Sequence, residues 1–111
     1  MKEIDTLNSY EAMLNEPGVK CVYFYSDWCR DCHYTDRYMH LVEKRYSNIN
    51  FYRVNRETVP MLSKHLNVYG VPSFLMHKGE ETVARYVDKK RKTIEEVIAF
   101  IDETCKEEGC A

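Results

Sequence analysis

Apolar and polar positions change their spacing several times along this 111-residue chain, and each change marks a new element. Tyr10, Met13 and Leu14 fall on one helical face, and Asn8 with Glu11 three residues later has the spacing of a capping box. A first helix is therefore expected up to the break at Pro17-Gly18. Residues 19–26, VKCVYFYS, are β-branched and aromatic almost throughout, which suits a strand covered on both faces of a sheet. After Cys32 the chain has no Gly or Pro as far as Tyr46, and Tyr34, Tyr38, Leu41, Val42 and Tyr46 recur with helical spacing. This predicts a helix directly behind the strand. Residues 49–55, INFYRVN, return to an extended pattern, and TVPMLSKHLN then reads as a short helix with Pro60 in its first turn. SFLMHKGEETVARYV holds two strand-like runs around the turn Lys78-Gly79-Glu80, predicting an antiparallel hairpin. Thr93 and Glu96 form a second capping box, and Ile94, Val97, Ile98 and Ile101 supply the buried stripe of a last helix.

Strand, helix, strand, helix is the pattern of a parallel core, and a hairpin added to it gives a mixed sheet. The expected fold class is α/β, one domain over residues 1–111, with no internal repeat or low-complexity linker. Composition changes this picture little: 44% hydrophobic and 31% charged residues with a net charge of -2 are ordinary for a globular protein. Neither a nucleic-acid nor a membrane partner is indicated. The longest apolar stretch, Cys21 to Tyr25, falls far short of the ~20 residues that span a bilayer. Glu3 and Asp5 stand where a signal peptide would be basic and then apolar, so a cytoplasmic protein is expected.

The candidate chemistry lies at the first strand-to-helix junction. Cys29-x-x-Cys32 fits a structural staple, a metal or haem site, or a reversible redox couple. In a reducing compartment five cysteines are expected as free thiols, metal ligands or catalytic groups rather than permanent crosslinks. Haem attachment through Cys29, Cys32 and His33 needs an export route that this amino terminus does not encode. Zinc needs two further ligands, from His33 and His40 or from Cys105 and Cys110. A redox couple needs no third group. Cys29, at the amino end of a helix, meets partial positive charge and free N–H groups that stabilise a thiolate, and Cys32 lies one turn further in. That spacing lets Cys32 attack a mixed disulfide formed at Cys29, with Trp28 covering one side of the reactive sulfur. Cys21 reads as a small buried side chain, and Cys105 and Cys110, flanking KEEG, as exposed tail thiols. The run Lys89-Lys90-Arg91-Lys92 reads as a solvated loop, and Tyr23, Tyr25, Tyr34 and Tyr38 as core.

The segments YFYSDWCRDC and NVYGVPSF, and the order of elements between them, resemble the thioredoxin family over nearly the whole chain. The resemblance implies a thioredoxin-like fold, a central mixed sheet flanked by helices on both faces. It also implies thiol–disulfide oxidoreductase activity, probed by Cys29 as exposed nucleophile and Cys32 as resolving thiol. Val71-Pro72 corresponds to the family's cis-proline, whose preceding residue offers backbone hydrogen bonds to substrate, so Trp28, Val71 and Pro72 are the expected substrate-binding residues. No cofactor and no metal are expected. The partners implied are disulfide-containing proteins or small thiols and an electron-donating reductase, acting on a monomer. Five residues depart from the family: Arg30 and Asp31 between the cysteines, Tyr23 in place of a buried Asp, Asp88 in place of a Gly beside the cis-proline, and Arg37 in place of the proline that kinks the long helix. The alternative reading keeps the fold without turnover, as a binding module that docks a partner at Val71-Pro72.

Overall fold

A computed structural model describes residues 1–110, and its centre is a five-stranded sheet in the order β1-β3-β2-β4-β5. Strands β1 (Lys2–Ile4), β3 (Ile49–Asn55) and β2 (Val19–Tyr25) run parallel; β4 (Ser73–Lys78) and β5 (Glu81–Tyr86) complete the sheet antiparallel. The sheet is mixed, as expected. The short edge strand β1 has too few residues to show a period.

Every residue of β2 is buried, and the alternation of its side chains divides the core in two. Cys21, Tyr23 and Tyr25 point to the face covered by α2 (Arg30–Asp36), α3 (Met39–Arg45) and α5 (Ile94–Glu108), where they join Met39, Val42, Val97 and Ile101. Val22 and Phe24 point to the other face, where Tyr10 and Met13 of α1 (Leu7–Leu14) and Leu62 of α4 (Pro60–His65) meet them. Helices thus flank both faces. Lys20 is the polar exception in β2: its Nζ donates to the carbonyls of Leu14, Glu16 and Gly79 at 3.3, 2.6 and 2.9 Å, which satisfies all three donors.

Four expectations are corrected. The first helix is capped two residues earlier than Asn8: Thr6 Oγ1 accepts from Ser9 N at 3.0 Å, and Ser9 Oγ accepts from Thr6 N at 3.2 Å. The run behind Cys32 forms two helices, broken at Arg37-Tyr38 without a proline. There the backbone tightens to i→i−3 bonds, Arg37 N to Tyr34 O and Tyr38 N to Thr35 O, while Thr35 Oγ1 bonds back to Asp31 O at 3.0 Å, a contact that bends helices. Lys92 is not solvated but wholly buried. Cys105 and Cys110 are not exposed thiols. They form a disulfide with a Cα–Cα distance of 4.5 Å, and both are buried. Closure needs no unwinding, because Gly109 takes the left-handed conformation at φ 73° and turns the chain back over the helix end.

Candidate active site

Cys29 is the N-cap of α2, with extended backbone at φ -93° and ψ 108°. Its Sγ accepts the backbone N–H of Cys32 at 3.0 Å, one of the donors that a helix start leaves without an internal partner. The two sulfurs are joined in a disulfide across a Cα–Cα distance of 5.1 Å. When that bond is open, the same N–H faces the Cys29 thiolate and favours it over the thiol. Cys32 itself is buried. Cys29 is half-covered at the surface, so it is the more accessible sulfur of the pair.

The turn before Cys29 is held by side chains on β3 and its end. Ser26 Oγ accepts Trp28 N at 3.2 Å and donates to Glu57, and Asn55 Nδ2 donates to Asp27 Oδ2 at 3.2 Å. His33 Nε2 sits 2.9 Å from the Asp27 carbonyl, which commits one ring nitrogen to local structure. Trp28 stands 91% exposed. It projects as a free apolar face beside Cys29 rather than closing over the sulfur, which corrects the expected cover.

Val71 reaches the site from the far side of the sequence. Its carbonyl oxygen lies 3.7 Å from Cys29 Sγ, and the Val71-Pro72 peptide bond is cis. Val71 is half-buried and Pro72 buried. The structure thus places Trp28, Cys29, Cys32 and Val71-Pro72 around one spot at the carboxyl end of β2.

Behind the sulfurs, Tyr23 occupies the strand position nearest Cys32. Its hydroxyl donates to the Cys32 carbonyl at 3.0 Å, and its ring stacks on Phe74 and Tyr25 with centroids 5.2 and 5.7 Å apart. Burial, reinforced by the Asp36 carboxylate, drives its phenol well above the ordinary tyrosine range. Tyr23 is thus a fixed neutral donor at neutral pH and does not accept a proton. Asp36, one turn beyond Cys32, lies 4.0 Å from Arg53 Nη2.

Two residues of the site escape sequence reasoning. Arg91 Nε contacts Asp31 Oδ1 at 2.9 Å, and its guanidinium lies over Tyr34 at 4.5 Å. The negative charge of Asp31 beside the sulfurs is therefore answered by a cation from the opposite end of the chain. No sequence signal links positions so far apart. Lys92 has none either, since it ends a run of four basic residues that reads as a solvated loop.

The family model for Thioredoxin matches residues 2–103. Thioredoxin AMT13 of Alternaria alternata is 35% identical over 74 residues, an alignment covering 67% of this chain and 63% of that relative. Thioredoxin Asp f 28 of Aspergillus fumigatus is 27% identical over 99 residues, covering 88% of this chain and 91% of the relative. The oxidised mitochondrial thioredoxin 3 of Saccharomyces cerevisiae superposes with a TM-score of 0.79 at 16% identity, covering 92% of this chain and 94% of that one. With a match over nearly its full length and a Trp-Cys-x-x-Cys pair at the strand-to-helix junction, the chain belongs to the thioredoxin family and is a thiol–disulfide oxidoreductase.

Proposed function

We propose that the protein reduces disulfides of protein or small-molecule substrates, with Cys29 as attacking thiol and Cys32 as resolving thiol. The observation that carries this reading is the environment of Cys29 Sγ: a backbone N–H at 3.0 Å on one side and the Val71 carbonyl edge at 3.7 Å on the other. The first stabilises the thiolate, and the second lays an extended substrate segment beside it. In the first step the Cys29 thiolate attacks one substrate sulfur, forming a mixed disulfide and releasing the other sulfur as a thiolate that takes up a proton. In the second, Cys32 gives up its proton and attacks Cys29 Sγ. The substrate leaves as a dithiol, and Cys29–Cys32 is left oxidised, the state seen in the structure. A reductase returns two electrons and two protons to restore the dithiol. Trp28 supplies an apolar face for the substrate, and Val71-Pro72 the docking edge.

Replacing the resolving thiol tests the order of events. Cys32→Ser should accumulate a mixed disulfide on Cys29 that intact-mass analysis detects, and should not turn over insulin disulfides with dithiothreitol as donor. Native turnover in that variant, or an adduct mapped to another cysteine, would overturn the assignment. A pure docking module would bind without turning over any disulfide.

A further inference from the structure

Lys92 contributes nothing to the redox couple directly, yet it is wholly buried, a rare position for lysine. Its ammonium donates to Pro72 O at 2.6 Å, Asp88 Oδ1 at 2.7 Å and Lys90 O at 2.9 Å. Three donors meet three acceptors, so the cation is fully satisfied. Burying it still costs solvation that an apolar side chain would not lose, so added stability is a weak account of why a lysine stands here.

What the ammonium fixes is the relation between two parts of the active site. On one side, residues 88–92 clasp the cis-proline loop. Besides the Lys92 contact to Pro72, Ser73 Oγ lies 2.7 Å from Gly70 O and 3.2 Å from Asp88 O. A Cβ on Gly70 would stand 2.7 Å from Asp88 O, so the two backbones are pressed together there. On the other side the same segment grips the helical arm that carries the cysteines. Tyr38 donates to Lys92 O at 2.8 Å, and Arg91 pairs with Asp31 at 2.9 Å. The segment is a strap with one anchor on each wall of the substrate cleft, and Lys92 is its knot.

We infer that Lys92, paired with Asp88, is a positioning residue for protein substrates: it holds the Val71-Pro72 edge at the spacing from Cys29 that an extended disulfide-bearing segment needs. This rests on the proposed docking at Val71-Pro72. A polypeptide must hydrogen-bond to that edge while its sulfur meets Cys29, whereas a small disulfide needs only the exposed sulfur. Loosening the knot should therefore weaken protein substrates selectively and leave the chemical step intact.

The test compares insulin disulfides with 5,5′-dithiobis(2-nitrobenzoate) on the full-length protein. In Lys92→Met the KM for insulin should rise about tenfold, the size of losing one or two backbone hydrogen bonds, with kcat within about twofold. For the small disulfide, kcat/KM should stay within about twofold of the native protein, as should the alkylation rate of Cys29 with iodoacetamide. If Lys92→Met does not fold, Asp88→Asn, which keeps the side-chain shape and removes the charge, should move the insulin KM in the same direction by about threefold. A parallel fall on both substrates, or an unchanged insulin KM in variants that fold, overturns the positioning role. A native protein that turns over neither substrate defeats the underlying function instead.

Discussion

The two disulfides close opposite ends of two helices, and the contrast separates a reactive bond from an inert one. At the start of α2, Cys29 Sγ faces a backbone donor, the Cys32 N–H at 3.0 Å. At the end of α5 the polar groups are carbonyls: Cys105 O accepts from Gly109 N at 2.7 Å and Cys110 N at 3.3 Å. Partial positive charge stabilises a thiolate and partial negative charge opposes it, so the same covalent link has opposite tendencies at the two sites. Access reinforces this. Cys29 is half-covered beside an exposed Trp28, whereas Cys105 and Cys110 retain 1% and 7% of their surface and pack in the cluster that holds Met76, Val97 and Ile101. A pair of bonded cysteines is therefore not by itself a redox centre; donors and access make one.

Turnover is the sharpest way to break this contrast. Cys29→Ser should lower insulin disulfide reduction by at least about a thousandfold, as the loss of a nucleophile does. Cys110→Ser should remain within about twofold of the native rate, because its sulfur meets no substrate. Comparable losses in the two variants would show that the carboxyl-terminal pair takes part in turnover.

Acid should act on the buried end of the sheet before it acts on the active site. His77, at the end of β4 far from Pro72, is buried against Tyr10 Oη at 2.6 Å and Thr82 Oγ1 at 3.2 Å. Burial, aided by the nearby Lys20 ammonium, pulls its pKa down to about 4. The unfolded chain, with an ordinary histidine near 6.5, binds the proton more readily than the folded one. The stability held by neutral His77 is complete above about pH 6.5 and lost as pH falls toward 4, about 3 kcal/mol in total. Urea unfolding at pH 7 and pH 4.5 should show this difference shrinking in His77→Gln, and an unchanged difference would remove His77 as its source.

The structural role assigned to the second disulfide can be measured directly. A closed loop with a sequence separation of 5 restricts the unfolded chain modestly, so Cys110→Ser should lower the unfolding free energy by about 2 kcal/mol. Guanidinium titration of the oxidised proteins measures it. No change in midpoint would mean that the bond does not restrain the chain. The smallest effect is expected at the turn that makes closure possible. Gly109 has φ 73° with open space where a Cβ would lie, so Gly109→Ala meets only backbone strain, about 1 kcal/mol. A stabilising alanine would show that the left-handed turn is not required.

Local patterns carried most of the architecture. The Thr93 capping box, Pro60 at a helix start and the turn at Lys78-Gly79 depend on residues a few positions apart, and all three elements stand where those patterns placed them. The Cys pair was legible in the same way, because a buried strand running into a helix puts Cys29 at a helix start whatever surrounds it. The first capping box was ambiguous, since Thr6-Ser9 and Asn8-Glu11 offer competing starts, and the structure uses the earlier one.

What the tertiary structure decided is which of the charged and sulfur-bearing residues lose their water. Lys92 belongs to a run of four basic residues indistinguishable in sequence from a solvated loop, and only the arrival of Pro72 and Asp88 around its ammonium makes it a buried clamp. Arg91 finds Asp31 across the molecule, and the Arg37-Tyr38 break follows from contacts of Thr35 and Tyr38 that no helical period encodes. Cys110 returns to Cys105 only because Gly109 reverses the chain and the apolar cluster covers both sulfurs. Periodicity and capping are properties of neighbours along the chain. Burial, charge pairing and sulfur access are set by segments that meet only after folding, so the sequence alone shows where the reactive sulfur stands and not what holds the cleft around it.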